Sequence, residues 1–209
     1  MMNMQQACGV VAAQRSEDSL LIATMSAMRA FDFLEADPAF VSPAPKAARL
    51  SSVPLMGGAA GLGLGLALAK PERKVIVVDG DASLLMELSS LVTVSQAGAG
   101  NLIHLLIKNG TQFTGLANLD APATDFNFAE AARNAGYRHV YTIEDAAAWE
   151  ARFAEIQNFA GPVFVELKVE PSPSRAEPGF EQAEMPDYQF ERMGIEARAM
   201  QQLLNAEVL

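Results

Sequence analysis

Cysteine is nearly absent. Cys8 stands alone among 209 residues, which excludes an intrachain disulfide and a cysteine metal cluster. Histidine is scarce as well. His104 and His139 are the only two, and His104 sits inside an apolar run, where a satisfied core or sheet histidine is expected rather than a ligand. The sequence carries no zinc-ligand spacing and no Ser-His-Asp arrangement. Positive charge is short: 15 Lys and Arg stand against 25 Asp and Glu, a net charge of -10. That balance argues against a nucleic-acid-binding surface, which needs a basic patch. The amino terminus lacks the basic start and apolar core of a signal peptide, so a cytoplasmic location is expected. No Gly-Lys-Ser/Thr phosphate loop occurs. Gly61-Leu62-Gly63-Leu64-Gly65 comes before a strand instead of after one, which is the wrong place for a dinucleotide fingerprint.

One long stretch without charge does occur, from Leu50 to Ala69. Its length would span a bilayer, and Gly57, Gly61 and Gly65 recur at the spacing of a small-residue helix seam. Pro54 and five glycines make it a poor span, and it leads through Pro71 into a strand. A glycine-rich helix packed closely on a sheet explains the same residues, because glycine lets backbones approach. No membrane association is expected.

The informative stretch runs from Val75 to Thr111. Two apolar runs of strand length, Val75-Ile76-Val77-Val78 and Ile103-His104-Leu105-Leu106-Ile107, flank a helical segment expected from Leu84 to Gly98. The first run leads to Asp81 and the second to Asn109. A right-handed crossover makes the strands parallel, so both side chains emerge at the carboxyl edge, where ligands of open α/β sheets bind. Mg2+ takes oxygen ligands and shares them with phosphate. Gly80-Asp81-Ala82-Ser83 opens a helix, whose free N–H groups favour an anion. Metal ligand and helix start together describe a diphosphate–Mg2+ site. A helix N-cap at Asp81 and a turn at Asn109-Gly110 account for the same residues without any ligand.

Strand and helix patterns alternate elsewhere. Helices are expected over Gln5–Gln14, Ala27–Glu35, Phe126–Ala135, Glu144–Phe159 and Gln189–Asn205. Strands are expected over Ser19–Ala23, Tyr137–Thr142 and Gly161–Val169. Thr24-Met25-Ser26 and Ser42-Pro43-Ala44-Pro45 read as loops, as does the polar stretch after Gly115 up to Asp125. Gly136 is placed as a helix C-cap, and Trp149 and Phe153, four apart, as core. The chain is long enough to bury a full core. The fold class expected is α/β, a doubly wound, mostly parallel sheet with helices on both faces. Residues 1–170 are read as one domain, and 171–209 as an extended arm and C-terminal helix.

Gly80-Asp81-Ala82, followed by Asn109 at the end of the next strand, resembles the thiamine-diphosphate motif that usually begins Gly-Asp-Gly and ends Asn-Asn. Met56-Gly57-Gly58 through Lys70-Pro71, Ser83-Leu84-Leu85-Met86-Glu87-Leu88 and Asn101-Leu102-Ile103-His104 extend the resemblance. It is most like the phosphonopyruvate decarboxylases and the β subunits of sulfopyruvate decarboxylases, strongest from Pro54 to Gly115. The resemblance implies that Asp81, the Asn109 side chain and the Thr111 carbonyl ligate Mg2+. Gly80, the Ala82 N–H and Ser83 would hold the diphosphate, with Ser26 touching it. Met56 would bend the cofactor from below, where plain core packing is the competing reading, and the Pro54 carbonyl would accept from the cofactor amine.

Ala82 departs from the usual glycine, and Pro54-Leu55 from a Gly-Ser pair. Lys108 departs from an Asn or Asp, adding charge near the ligand or facing solvent. Lys108, Gln112 and Thr114 are the candidates for substrate contact. The implied function is a subunit of a 2-oxo acid decarboxylase, with thiamine diphosphate as the electron sink. A separate α subunit would supply the pyrimidine-binding domain and a catalytic glutamate, giving a hetero-oligomer with its active site at the interface. Acyloin-forming or cleaving thiamine-diphosphate chemistry is the alternative within enzymes, and a non-catalytic phosphate-ligand module the alternative outside them.

Overall fold

The computed structural model describes residues 1–113, 118–120, 125–171 and 186–206. The chain opens with α1 (Met4–Gln14), β1 (Leu20–Ala23) and α2 (Met25–Ala36). A short 3-10 turn (Lys46–Ala48) leads into β2 (Arg49–Ser51), and α3 (Ala59–Ala69) follows. The central unit is β3 (Val75–Gly80), α4 (Asp81–Met86), α5 (Ser90–Ala97) and β4 (Leu102–Lys108). Then come β5 (Thr111–Phe113), β6 (Asn118–Asp120), α6 (Phe128–Ala135), β7 (His139–Ile143), α7 (Ala146–Ile156), β8 (Val163–Lys168) and α8 (Pro186–Ala206).

Six strands form one parallel sheet in the order β2-β1-β3-β4-β8-β7, with β5 and β6 as a separate antiparallel pair. In register, Val77 lies beside Ile22 and His104, and His104 beside Phe164. The inner strands are buried on both faces, which is why they read as continuous apolar runs instead of alternating ones. One face packs under α1, α2 and α7 around Phe31, Trp149 and Phe153; the other packs under α3, α5 and α6 around Leu91, Phe128 and Phe164. Trp149 and Phe153 are fully buried, as their spacing predicts. The α/β reading is correct, and Gly136 closes α6 at φ +104, a left-handed angle that suits glycine.

Several local expectations are corrected. Met25 and Ser26 are the first turn of α2, not a loop. The expected helix from Leu84 to Gly98 is two helices, broken where the loop carrying Gly57 packs on Glu87: a Cβ on Gly57 would sit 3.1 Å from the Glu87 Cβ. The strand β2, only three residues long, was hidden where Arg49 meets the start of the charge-free stretch. Within the stretch after Gly115 that was expected to be a loop, Asn118–Asp120 forms β6 and pairs with β5. The glycine-rich segment is a helix against the sheet, but only Gly63 makes the close approach. A Cβ there would lie 2.2 Å from Val77 Cγ2, while Gly61 and Gly65 face open space. Among the described residues, no helix is long and apolar enough to cross a membrane.

Candidate functional site

A parallel sheet whose first connection runs one way and whose later ones run the other leaves a crevice between the diverging loops. Here β1 leads outward to β2, whereas β3 leads the other way to β4. At that point the carboxyl ends of all four strands line one cleft of about 550 Å³, its open mouth included.

Each strand contributes in turn. After β1, the opening turn of α2 brings Met25, Ser26 and Ala27 to the cleft. Thr24 precedes this helix but does not cap it; its hydroxyl donates to the Val78 carbonyl at 3.2 Å. The first N–H groups of a twelve-residue helix therefore lack a side-chain acceptor, an arrangement that favours an anion. After β2 come Ser52, Val53 and Met56. Met56 is 40% exposed and its neighbour Leu55 39%, so Met56 is not packed into the core. Pro54 lies in the turn between Val53 and Met56 and is not among the residues lining the cleft.

After β3, Asp79, Gly80, Asp81, Ala82 and Ser83 line the floor. Asp81 Oδ1 accepts from the Ala82 N–H at 2.8 Å and Oδ2 from the Gly110 N–H at 2.7 Å. The second bond ties the end of β3 to the turn after β4. Ser83 Oγ accepts from the Gly57 N–H at 2.9 Å, joining the Met56 loop to the same floor. Ala82 lies in the first turn of α4, where a residue with a Cβ fits as well as glycine. After β4, Ile107, Asn109, Thr111 and Gln112 complete the cleft. Asn109 Oδ1 accepts from the Thr111 N–H at 3.0 Å, leaving a second lone pair. Thr111 Oγ1 is buried without a hydrogen-bond partner.

Burial pushes the Asp81 carboxyl above its ordinary pKa, and the Gly110 and Ala82 N–H groups and the Lys108 charge only partly offset this. A divalent ion would reverse the balance, since its charge favours the carboxylate. Among the described residues no cluster of three His, Cys, Asp or Glu side chains exists. An ion here would therefore rest on one carboxylate, one amide oxygen and main-chain oxygen, a hard donor set that suits Mg2+. The residues present thus fit a diphosphate with its cation.

Lys108 adds its charge near Asp81, but its side chain lies elsewhere than expected. It reaches neither the cleft nor open solvent. Its ammonium donates to the Phe126 carbonyl at 2.8 Å, lies 5.6 Å over the Phe128 ring and stands 4.0 Å from Glu166. A contact between Lys108 and substrate is not what this geometry offers. Thr114 lies outside the described residues. Thr24, Ser52, Val53, Asp79 and Ile107 line the cleft without having been singled out. Asp79 carried a signal, an acid inside an apolar strand. It is fully buried, with Oδ1 accepting from the Gly80 N–H at 2.8 Å and Oδ2 facing His104 Nε2 at 3.6 Å. His104 Nδ1 pairs with the Tyr137 hydroxyl at 3.0 Å, so the histidine is a core group, as its position predicts.

The family model for the C-terminal TPP-binding domain of thiamine pyrophosphate enzymes matches residues 23–167. A phosphonopyruvate decarboxylase of Streptomyces viridochromogenes is 41% identical over 117 residues, 56% of this chain and 29% of that protein. The sulfopyruvate decarboxylase subunit beta of Methanothermobacter thermautotrophicus is 36% identical over 122 residues, 56% of this chain and 59% of that subunit. The matched stretch thus spans less than two thirds of either relative. Among solved structures, the thiamine diphosphate-dependent 4-hydroxybenzoylformate decarboxylase of Rhodococcus jostii RHA1 superposes with a TM-score of 0.66 at 18% identity, covering 82% of this chain and 33% of that one. At that identity the likeness speaks to fold alone.

Proposed function

The chain belongs to the thiamine pyrophosphate enzymes through their C-terminal TPP-binding domain, and on that premise we propose that it is the β-type subunit of a thiamine-diphosphate- and Mg2+-dependent 2-oxo acid decarboxylase. The observation that carries this reading is the Gly110 N–H bond to Asp81. It draws the carboxylate at the end of β3 to the amide turn at the end of β4, directly beside the uncapped start of α2.

In this reading Asp81, the Asn109 side chain and the Thr111 carbonyl hold Mg2+. Gly80, the Ala82 N–H, Ser83 and Ser26 hold the diphosphate. Met56 supports the cofactor from below, and the Pro54 carbonyl accepts from its amine. Gln112, at the rim, is positioned for substrate, and Thr114 remains its proposed neighbour. When bound, the cofactor supplies an electron sink for the carboxylate lost from a 2-oxo acid. This chain's residues anchor and orient: the metal end is fixed by strand termini and the ring end by the Met56 loop. Fixed orientation of this kind is worth several kcal/mol, on the order of 7–11 in the best intramolecular cases.

A second chain would carry the pyrimidine-binding domain and the glutamate that drives tautomerisation of the cofactor's amine, and would cover the half-exposed Leu55 and Met56. The assembly is a hetero-oligomer in the cytoplasm. Residues 1–170 form its cofactor-binding domain; the arm expected after them lies outside the described residues, and α8 follows it. The chain, mixed with a pyrimidine-domain partner and challenged with a panel of 2-oxo acids including sulfonate and phosphonate forms, should release CO2 only when both chains, thiamine diphosphate and Mg2+ are present. Turnover without this chain would overturn the assignment.

A further inference from the structure

The family match ends at residue 167, yet a helix beyond it grips the cleft from outside. Strand β2 lies at the edge of the sheet, so the backbone groups on its free side need partners. Glu196 of α8 supplies one: its Oε2 accepts from the Ser51 N–H at 2.6 Å and its Oε1 from the Ser51 hydroxyl at 3.1 Å. Ser51 ends β2, and the next residues, Ser52, Val53 and Met56, form one wall of the cleft. Arg192, one turn earlier, donates from Nε to Glu196 Oε1 at 2.9 Å and fixes its rotamer. The same guanidinium grasps Asp32 of α2 through two bonds of 2.8 and 2.7 Å. Buried Arg49 donates to Asp32 Oδ1 at 2.5 Å from the start of β2. Because α2 begins in the cleft with Met25 and Ser26, this chain of charges reaches both the β1–α2 wall and the β2 wall. It does not reach the metal end, where Asp81 and Asn109 are held by bonds of their own.

We propose that Glu196, oriented by Arg192, is a positioning residue that sets the Ser52–Met56 wall against which the ring end of the cofactor packs. The proposal rests on reading the cleft as a cofactor site. Glu196 holds only the last residue of β2, so losing the carboxylate frees the end of that strand without unfolding the sheet.

Hydrogen exchange on the full chain tests the mechanical claim. In Glu196→Ala, amides of Ser51–Gly57 should exchange at least roughly 10-fold faster, with those of Gly80–Met86 unchanged. Glu196→Gln, which keeps an acceptor for the Ser51 N–H, should restore most of the protection, and Arg192→Met should fall between. Unchanged exchange at 51–57 in Glu196→Ala overturns the proposal. Ligand binding then separates positioning from general stability. With Mg2+ present, Glu196→Ala, which leaves the Arg192–Asp32 pair on α2 in place, should weaken thiamine diphosphate roughly 10-fold and leave inorganic pyrophosphate, which does not extend to the Ser52–Met56 wall, unaffected. Equal weakening of both ligands also overturns it. If the wild-type chain and its partner bind neither ligand, the cofactor reading fails, and the exchange comparison still decides whether Glu196 holds the wall.

Discussion

Replacing Gly63 with alanine should push α3 away from the sheet. The added Cβ would lie 2.2 Å from Val77 Cγ2 and 3.7 Å from Val75 Cγ1. Carbon atoms in contact sit about 3.5–4.0 Å apart, so the first overlap is about 1.5 Å. Val77 cannot easily turn aside, because β-branched side chains are stiff at χ1 and it is fully buried. Overpacking of this kind costs about 1–3 kcal/mol, against roughly 1 kcal/mol recovered from the better helix propensity of alanine. The expected balance is a loss of up to about 2 kcal/mol, or a fall in Tm of up to about 8 °C for a chain of this size. Gly61→Ala and Gly65→Ala are built-in controls. Both face open space, so each should gain up to about 1 kcal/mol. Urea unfolding of the three variants, followed by Gly63→Ala in a Val77→Ala background, separates packing from propensity. Removing the opposing methyls should relieve at least about 1 kcal/mol of the cost. A Gly63→Ala chain as stable as Gly65→Ala would refute the close-approach argument. The effect bears on function because α3 begins directly after the Met56–Gly58 segment.

Tyr137→Phe strips the hydroxyl from buried His104 Nδ1, leaving a polar atom unsatisfied at a cost of about 1–3 kcal/mol; a neutral result in urea unfolding would show that water replaces the bond. Asp32 is half buried; burial raises its pKa, but the bonds and charges of Arg192 and Arg49 outweigh this and hold it below the ordinary value. Its stabilising contribution is therefore present above its unfolded pKa and lost as pH falls through the lower folded one. Below about pH 4, Asp32→Asn should unfold with a shallower acid dependence than wild type, and identical acid limbs would contradict the ion-pair account. Met56→Ala should change stability by no more than about 0.5 kcal/mol, as for other exposed positions, while weakening thiamine diphosphate; a large stability loss would return Met56 to the core.

What could be read in the sequence followed periodicity and strand ends. The runs Val75–Val78 and Ile103–Ile107 are long and apolar enough to be unmistakable, and they place Asp81 and Asn109 at one edge without any coordinates. Strand β2 was not legible because three residues, one of them a buried arginine, carry no period. Its edge is satisfied by Glu196, 145 residues away, a partnership that no local pattern encodes. The break between α4 and α5 has the same origin: the residues favour one helix, and the Gly57 loop interrupts it. Lys108 was misplaced for a related reason. Strand alternation puts it on the face of Leu106 and His104, toward α6, while its neighbours Ile107 and Asn109 turn to the cleft.

Isothermal titration of thiamine diphosphate with Mg2+ into this chain, alone and mixed with a pyrimidine-domain partner, tests the central claim most directly. Wild type should bind in the mixture, and Asp81→Ala, which removes the one carboxylate of the proposed metal site, should not. Binding of equal strength by wild type and Asp81→Ala, or no binding by wild type in either setting, would contradict the account.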